Sequence, residues 1–139
     1  MSKMTEIKSV FDIGTRALSA QMLRLNTTAS NLANAGSVSG TAEGAYRALR
    51  PVFVVDEAAP GSGLTAPRAD RIVQLERDPA RMFRPDHPQA DAEGYVYEAA
   101  VEVEEEMVEM LEASRQYQNT LESLSTLRAM MARTLTMGQ

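Results

Sequence analysis

A chain of 139 residues, 44% hydrophobic and 24% charged, has the size and composition of one globular domain. Without cysteine it can form neither a disulfide nor a thiolate metal site. A net charge of −5 argues against nucleic acid as the main partner, because phosphate binding rests on clustered Lys and Arg.

The first ten residues, MSKMTEIKSV, hold no apolar run followed by a small-residue cleavage site, so no cleaved secretory signal is expected there. No apolar stretch of about 18 residues occurs, so no transmembrane segment is expected. From about Ser9 to about Asn34, Phe11, Thr15, Leu18, Met22, Leu25, Ala29 and Leu32 alternate at steps of four and three. That is the stripe of an amphipathic helix that pairs with another. The following NAGSVSG stops the helix, with Gly36 expected as its left-handed terminator.

The middle has a different character. ALRPVFVV is a short β-branched and aromatic run in which Pro51 points to an edge strand or an irregular extended piece. AAPGSGLTAPRA reads as loop, and RIVQLERD reads as a weak second strand with Ile72, Val73 and Leu75 as its apolar content. FRPDHPQADAEGYVY is turn-rich as far as Gly94, after which the chain is expected to enter the last helix. Residues 36–97 are thus expected to be mostly loop with one candidate β-hairpin.

The final segment carries a second stripe, Val103, Met107, Met110, Ser114, Tyr117, Leu121, Leu124, Arg128, Met131 and Leu135, with Ser114 and Arg128 as polar interruptions. The expected fold is mainly α. Residues 1–35 and 98–139 form the two long helices of a coiled-coil-like domain, joined by the loop-rich 36–97. Residues 1–34 hold four basic against two acidic residues, a net of +2, and residues 98–139 hold eight Glu against three Arg, a net of −5. Helices of opposite sign attract, within one chain or between copies.

Chemistry is sparse. His87 is the only histidine, and in the turn sequence DHPQAD it reads as a locally bonded turn residue. Glu98, Glu102, Glu105, Glu109 and Glu112 line one side of a helix without the His that a carboxylate metal site recruits at helical spacing. They read as a solvated face near a helix N-terminus or as an ion-pairing surface between subunits, and Glu106→Ala is expected to be harmless. No catalytic constellation is found, and no cofactor or metal is called for.

ALSAQMLRLNTTASNLANAGS, residues 17–37, resembles the N-terminal signature of bacterial flagellar rod and hook proteins, with Asn31 and Asn34 as its two amides. HPQADAEGYVY and the helix after it are similar to the ending of a proximal-rod member of that family, and YRALRPVF, residues 46–53, resembles its middle. The resemblance implies a non-enzymatic structural subunit of the basal body that stacks helically into the torque-transmitting rod across the periplasm. It implies delivery by the flagellar type III export gate, and as partners copies of itself, other rod proteins and the adaptor at the rod base. The residues expected at self-assembly and partner contacts are Leu18, Met22, Leu25, Asn31, Leu32, Asn34, Met107, Met110, Tyr117, Leu121, Leu124, Met131 and Leu135. The competing readings are a cytoplasmic adaptor built as a monomeric helical hairpin, and a metal enzyme using the glutamate stripe.

Overall fold

The computed structural model describes residues 3–137, with side chains from residue 7 onward; Met1, Ser2, Gly138 and Gln139, at the two ends of the expected segments, lie outside the described residues. The order is α1 (Lys3–Asn34), β1 (Val38–Ser39), β2 (Leu49–Glu57), β3 (Thr65–Gln74), β4 (Arg81–Phe83), β5 (Tyr95–Glu98) and α2 (Val103–Met137). This is a mixed α/β fold with antiparallel sheets, so the expectation of a mainly α chain with a loop-rich middle is overturned.

The reason lies in pairing between distant segments, which outweighs local turn chemistry. β2 and β3 form an antiparallel hairpin that runs from Leu49 opposite Gln74 to Glu57 opposite Thr65. The apolar run Val52–Val55 supplies β-branched and aromatic side chains, and its ladder draws the Pro-containing TAPRA into β3. Pro51 and Pro67 are accommodated because each strand has an unpaired outer edge. The register shifts between Val52 and Phe53, where Asp70 is the extra residue of a bulge in β3. The loop shrinks to residues 58–64, closed by Ala58 N–H donating to Leu64 O at 2.8 Å. Gly61 and Gly63 supply its positive φ angles, 74° and 66°, and both N–H groups donate to Glu57 Oε1.

A second sheet has the order β1-β5-β4. The chain therefore does not pass from Gly94 into the helix: Tyr95–Glu98 is the central strand, and Val96 in it is fully buried. Asp91 closes the preceding turn by accepting the N–H groups of Glu93 and Tyr95, both at 2.9 Å, and these bonds hold its carboxyl below the usual range, that from Tyr95 most strongly. Gly94 takes φ 84° beside Phe83 and Pro85, where a Cβ would sit 2.9 Å from the Phe83 ring. Phe83 meets Tyr95 edge to face at 5.1 Å, and Arg81 lies over the Tyr95 ring at 3.7 Å.

α1 does not end on a left-handed glycine. The positive-φ residues among those described are Gly61, Gly63 and Gly94, not Gly36. The terminus is closed by Ser37, whose N–H and hydroxyl both donate to Asn34 O at 3.0 and 2.7 Å, while Asn34 Nδ2 reaches back to Ser30 O at 2.8 Å. α2 starts with Glu104, Glu105 and Glu106 in its first turn, where carboxylates suit the positive end of the helix dipole. The helices run antiparallel, Asn31 meeting Glu106 at one end and Gly14 meeting Leu124 towards the other. The β2–β3 hairpin packs on a different side of α1.

Candidate assembly surface

On α2 Glu106, Met110, Ala113, Tyr117, Thr120, Leu124, Leu127 and Met131, withdrawn from solvent, alternate at steps of four and three, with Glu109, Ser114 and Gln116 half-buried beside them. Met110, Tyr117, Leu124 and Met131 of the expected seam belong to this line. Met107, Leu121 and Leu135 do not, being 60%, 50% and 73% exposed. Half of the heptad is displaced by one residue because small and polar side chains (Ala113, Thr120) occupy the positions nearest α1.

Polar groups on α1 explain that displacement. Its α2-facing line is Gly14, Ala17, Gln21, Arg24, Thr28 and Asn31. Gln21 Nε2 donates to Gln116 Oε1 at 2.8 Å, and Arg24 donates to the same oxygen at 3.2 Å and to Glu109 Oε2 at 2.8 Å. Leu124 seats in the notch at Gly14, where an added Cβ would lie 2.8 Å from its Cδ1. The helices thus join through hydrogen bonds, one ion pair and close approach at small residues, while the apolar stripe of α1 is left to the side.

The junction ends in a buried polar clasp. Asn31, with no exposed surface, donates from Nδ2 to Leu49 O at 2.9 Å and Glu106 Oε2 at 3.0 Å, and its Oδ1 accepts from Leu49 N–H at 2.8 Å and the Tyr46 hydroxyl at 3.0 Å. Every donor and acceptor of that amide is used. Glu106, 1% exposed, is countered by Arg50 Nη1 at 2.6 Å. Arg50 also reaches Glu105 at 3.3 Å, and Arg77 meets the other Glu105 oxygen at 3.0 Å. The hydrogen bond from Arg77 is the main reason that the Glu105 carboxyl lies below its ordinary range, with Arg50 adding to it.

The glutamate stripe is therefore largely an intramolecular ion-pairing surface: Glu98 meets Arg84, Glu105 meets Arg50 and Arg77, and Glu109 meets Arg24. Glu106 is not a solvated side chain, which reverses the expectation that its removal is harmless. Local sequence could not show this, because the arginine that pairs with it, Arg50, comes from the start of β2. His87 Nδ1 accepts the Gln89 N–H at 3.1 Å, a local turn contact. Among the described residues no three His, Asp or Glu side chains are grouped to hold a metal ion, and no helix is long and apolar enough to cross a membrane.

Leu18, Leu25 and Leu32 are half-buried and Met22 is exposed. Helical spacing places them about a quarter turn from the α2-facing line, on the side away from the hairpin. Met107, Leu111 and Leu121 lie a quarter turn from the seam of α2 in the same sense, so both sets share one front of the antiparallel pair. The chain's own fold leaves that front open. Asn34, by contrast, is spent on the end of α1.

Residues 11–40 match the family described as flagella basal body rod protein, and residues 92–137 match the C-terminal region of flagellar basal body rod FlgEFG proteins. The chain is 45% identical over 131 residues to the flagellar basal-body rod protein FlgC of Salmonella typhimurium, covering 94% of this chain and 97% of that one. The Escherichia coli O6:H1 protein of the same name is 44% identical over the same shares. That of Aquifex aeolicus is 32% identical over 133 residues, covering 94% and 96%. The likeness thus runs over nearly the whole of both chains, and the chain belongs to the FlgC family of flagellar basal-body rod proteins.

Proposed function

We infer that this chain is a structural subunit of the proximal rod, not an enzyme, and that the open front of its helix pair is the surface through which it assembles. Rod-family membership carries the first half: the chain works in the flagellar basal body, in assembly with other rod components. The observation that carries the second is an apolar stripe on each helix, exposed at Met22, Met107, Leu111 and Leu121, beside a helix junction that polar groups share with a line of side chains including Leu124. A solitary hairpin would put those side chains between its helices. Its neighbours on this reading are copies of itself, other rod proteins and the adaptor at the rod base. Broad helix faces packed side by side suit the transmission of torque without slip.

Delivery follows the flagellar type III export gate, with the N-terminal segment kept. Membership of the flagellar rod family supports that route.

The test is complementation of a strain lacking the chromosomal copy. Leu25→Asp and Leu121→Asp are expected to abolish motility and to be missing from purified basal bodies, and wild-type recovery is expected to require the export gate. The helices do pair within one chain, as the adaptor reading requires. Full motility of both variants with a monomeric soluble protein favours that adaptor.

A further inference from the structure

The side of α2 turned away from α1 carries a charge pattern that neither the clasp nor the front uses. Glu104, Arg115, Glu122 and Arg133 follow one another at spacings of eleven, seven and eleven residues. At about 3.6 residues per turn, eleven residues make close to three turns and seven close to two, so all four stand in one row. The row is half a turn from the line of Met110, Tyr117, Leu124 and Met131. All four side chains are exposed, and none forms an ion pair among the described residues. Within one helix they cannot satisfy one another, because consecutive members are at least about 10 Å apart along the axis.

The signs alternate and the spacing reads the same in both directions. A second α2 laid antiparallel, with the two-fold axis between Gln118 and Asn119, puts Glu104 opposite the copy's Arg133 and Arg115 opposite the copy's Glu122. Symmetry repeats both pairs, so four opposite-charge contacts form in one register. That register also sets Val108 opposite Ala129, Leu111 opposite Thr126, and Gln118 opposite Asn119. Val108 and Met130 beside the row are 64% and 61% exposed, which gives the contact an apolar part. A parallel, in-register pairing would instead set each charge against its like, so the row selects orientation as well as partner.

We propose that the back of α2 is a two-fold docking surface for a second copy of this chain, helix against antiparallel helix. Its energetic basis is four solvent-facing ion pairs and a narrow apolar strip, so the pair is reversible and weakened by salt. A two-fold contact closes on itself, whereas a helical stack repeats one head-to-tail contact with every subunit pointing the same way. The pair therefore belongs to subunits outside the stack, and it leaves the front stripe free.

The experiment is sedimentation equilibrium of the full chain at low and high salt, comparing wild type, Arg115→Glu, Glu122→Arg and the double variant. Circular dichroism checks that each stays folded. Either single swap reverses two of the four contacts and is expected to weaken dimerisation at least about tenfold, while the double swap restores opposite charges and wild-type association. A second readout uses the absence of native cysteine: Gln118→Cys stands beside the two-fold axis and is expected to give a disulfide-linked dimer on mild oxidation, while Met22→Cys on the front is not. A wild-type chain that stays monomeric at low salt, single swaps without effect, or a double swap that fails to restore association overturns the proposal. None of these results alters recovery of the protein in basal bodies, so the rod assignment stands or falls separately.

Discussion

The two ends of the helix pair are built on different principles. Around Asn31 and Glu106 the contact is polar, fully buried and shared among α1, the start of β2 and α2. Around Gly14 and Leu124 it is a close fit of an aliphatic side chain against bare backbone, and beyond it Met130, Leu135 and Met137 are more than half exposed. A buried ion pair adds little net stability but costs heavily when half of it is removed, so it fixes a geometry. A notch and an exposed apolar tail add contact area without fixing what else may bind. One end sets how the helices meet the hairpin, and the other remains available to neighbours.

Breaking the clasp should give the largest effect. Glu106→Ala leaves Arg50 and Asn31 Nδ2 facing a void, and loss of one partner from a buried pair costs about 3–5 kcal/mol. Thermal denaturation should show a fall in midpoint far beyond that of Glu104→Ala, whose side chain is exposed and unpaired among the described residues. Equal midpoints for the two variants would mean that Glu106 is solvated after all.

At the other end, Gly14→Val drives a branched side chain into Leu124. Overpacking of this kind costs about 1–3 kcal/mol, and Leu124→Ala in the same chain should recover part of it, as a double-mutant cycle by chemical denaturation can measure. Additive losses would place the two residues out of contact.

The smallest effect is a pH dependence. Glu105 has a lowered pKa in the folded chain, so its contribution is present above the unfolded carboxylate value, about 4.3, and is lost as pH falls through the lower folded value. Stability should therefore drop more steeply on acidification in the wild type than in Glu105→Gln. Because the Glu105 side chain is 44% exposed, the difference between the two curves should be modest. Parallel curves would remove Arg77 and Arg50 as its partners.

The helices were legible because periodicity is a local property. Stripes at steps of four and three pointed to a helix near each end; α1 stops at Asn34 as expected but starts at Lys3, not about Ser9, and α2 starts at Val103, not soon after Gly94. The strands were less so, for the physical reason that a strand's partner supplies half of its stability. TAPRA has two small residues, a proline and no apolar alternation, and becomes a strand only because Val52–Val55 lies opposite and beside it. Tyr95–Glu98 likewise depends on β1 and β4, which lie some sixty residues before it and a dozen before it in the chain. At the helix junction, apolar spacing suggested Met107 and Leu121 where the fold uses Glu106 and Thr120. A buried glutamate is invisible to a hydrophobic pattern, and only the position of Arg50 in space reveals its charge partner. Asn31 was singled out through the family signature, but its four hydrogen bonds to two other segments could not be read from the amide alone.

The division between an internal clasp and an open front is tested most directly by measuring two quantities on one variant, Met107→Asp: the thermal midpoint of the purified chain and its recovery in isolated basal bodies. Met107 is exposed on the front and lies beside, not within, the seam, so a surface change there should shift stability by no more than about 0.5 kcal/mol. The expected result is an unchanged midpoint with loss of the protein from basal bodies. Normal incorporation of Met107→Asp at wild-type levels, or a collapse of its midpoint to that of Glu106→Ala, would contradict it.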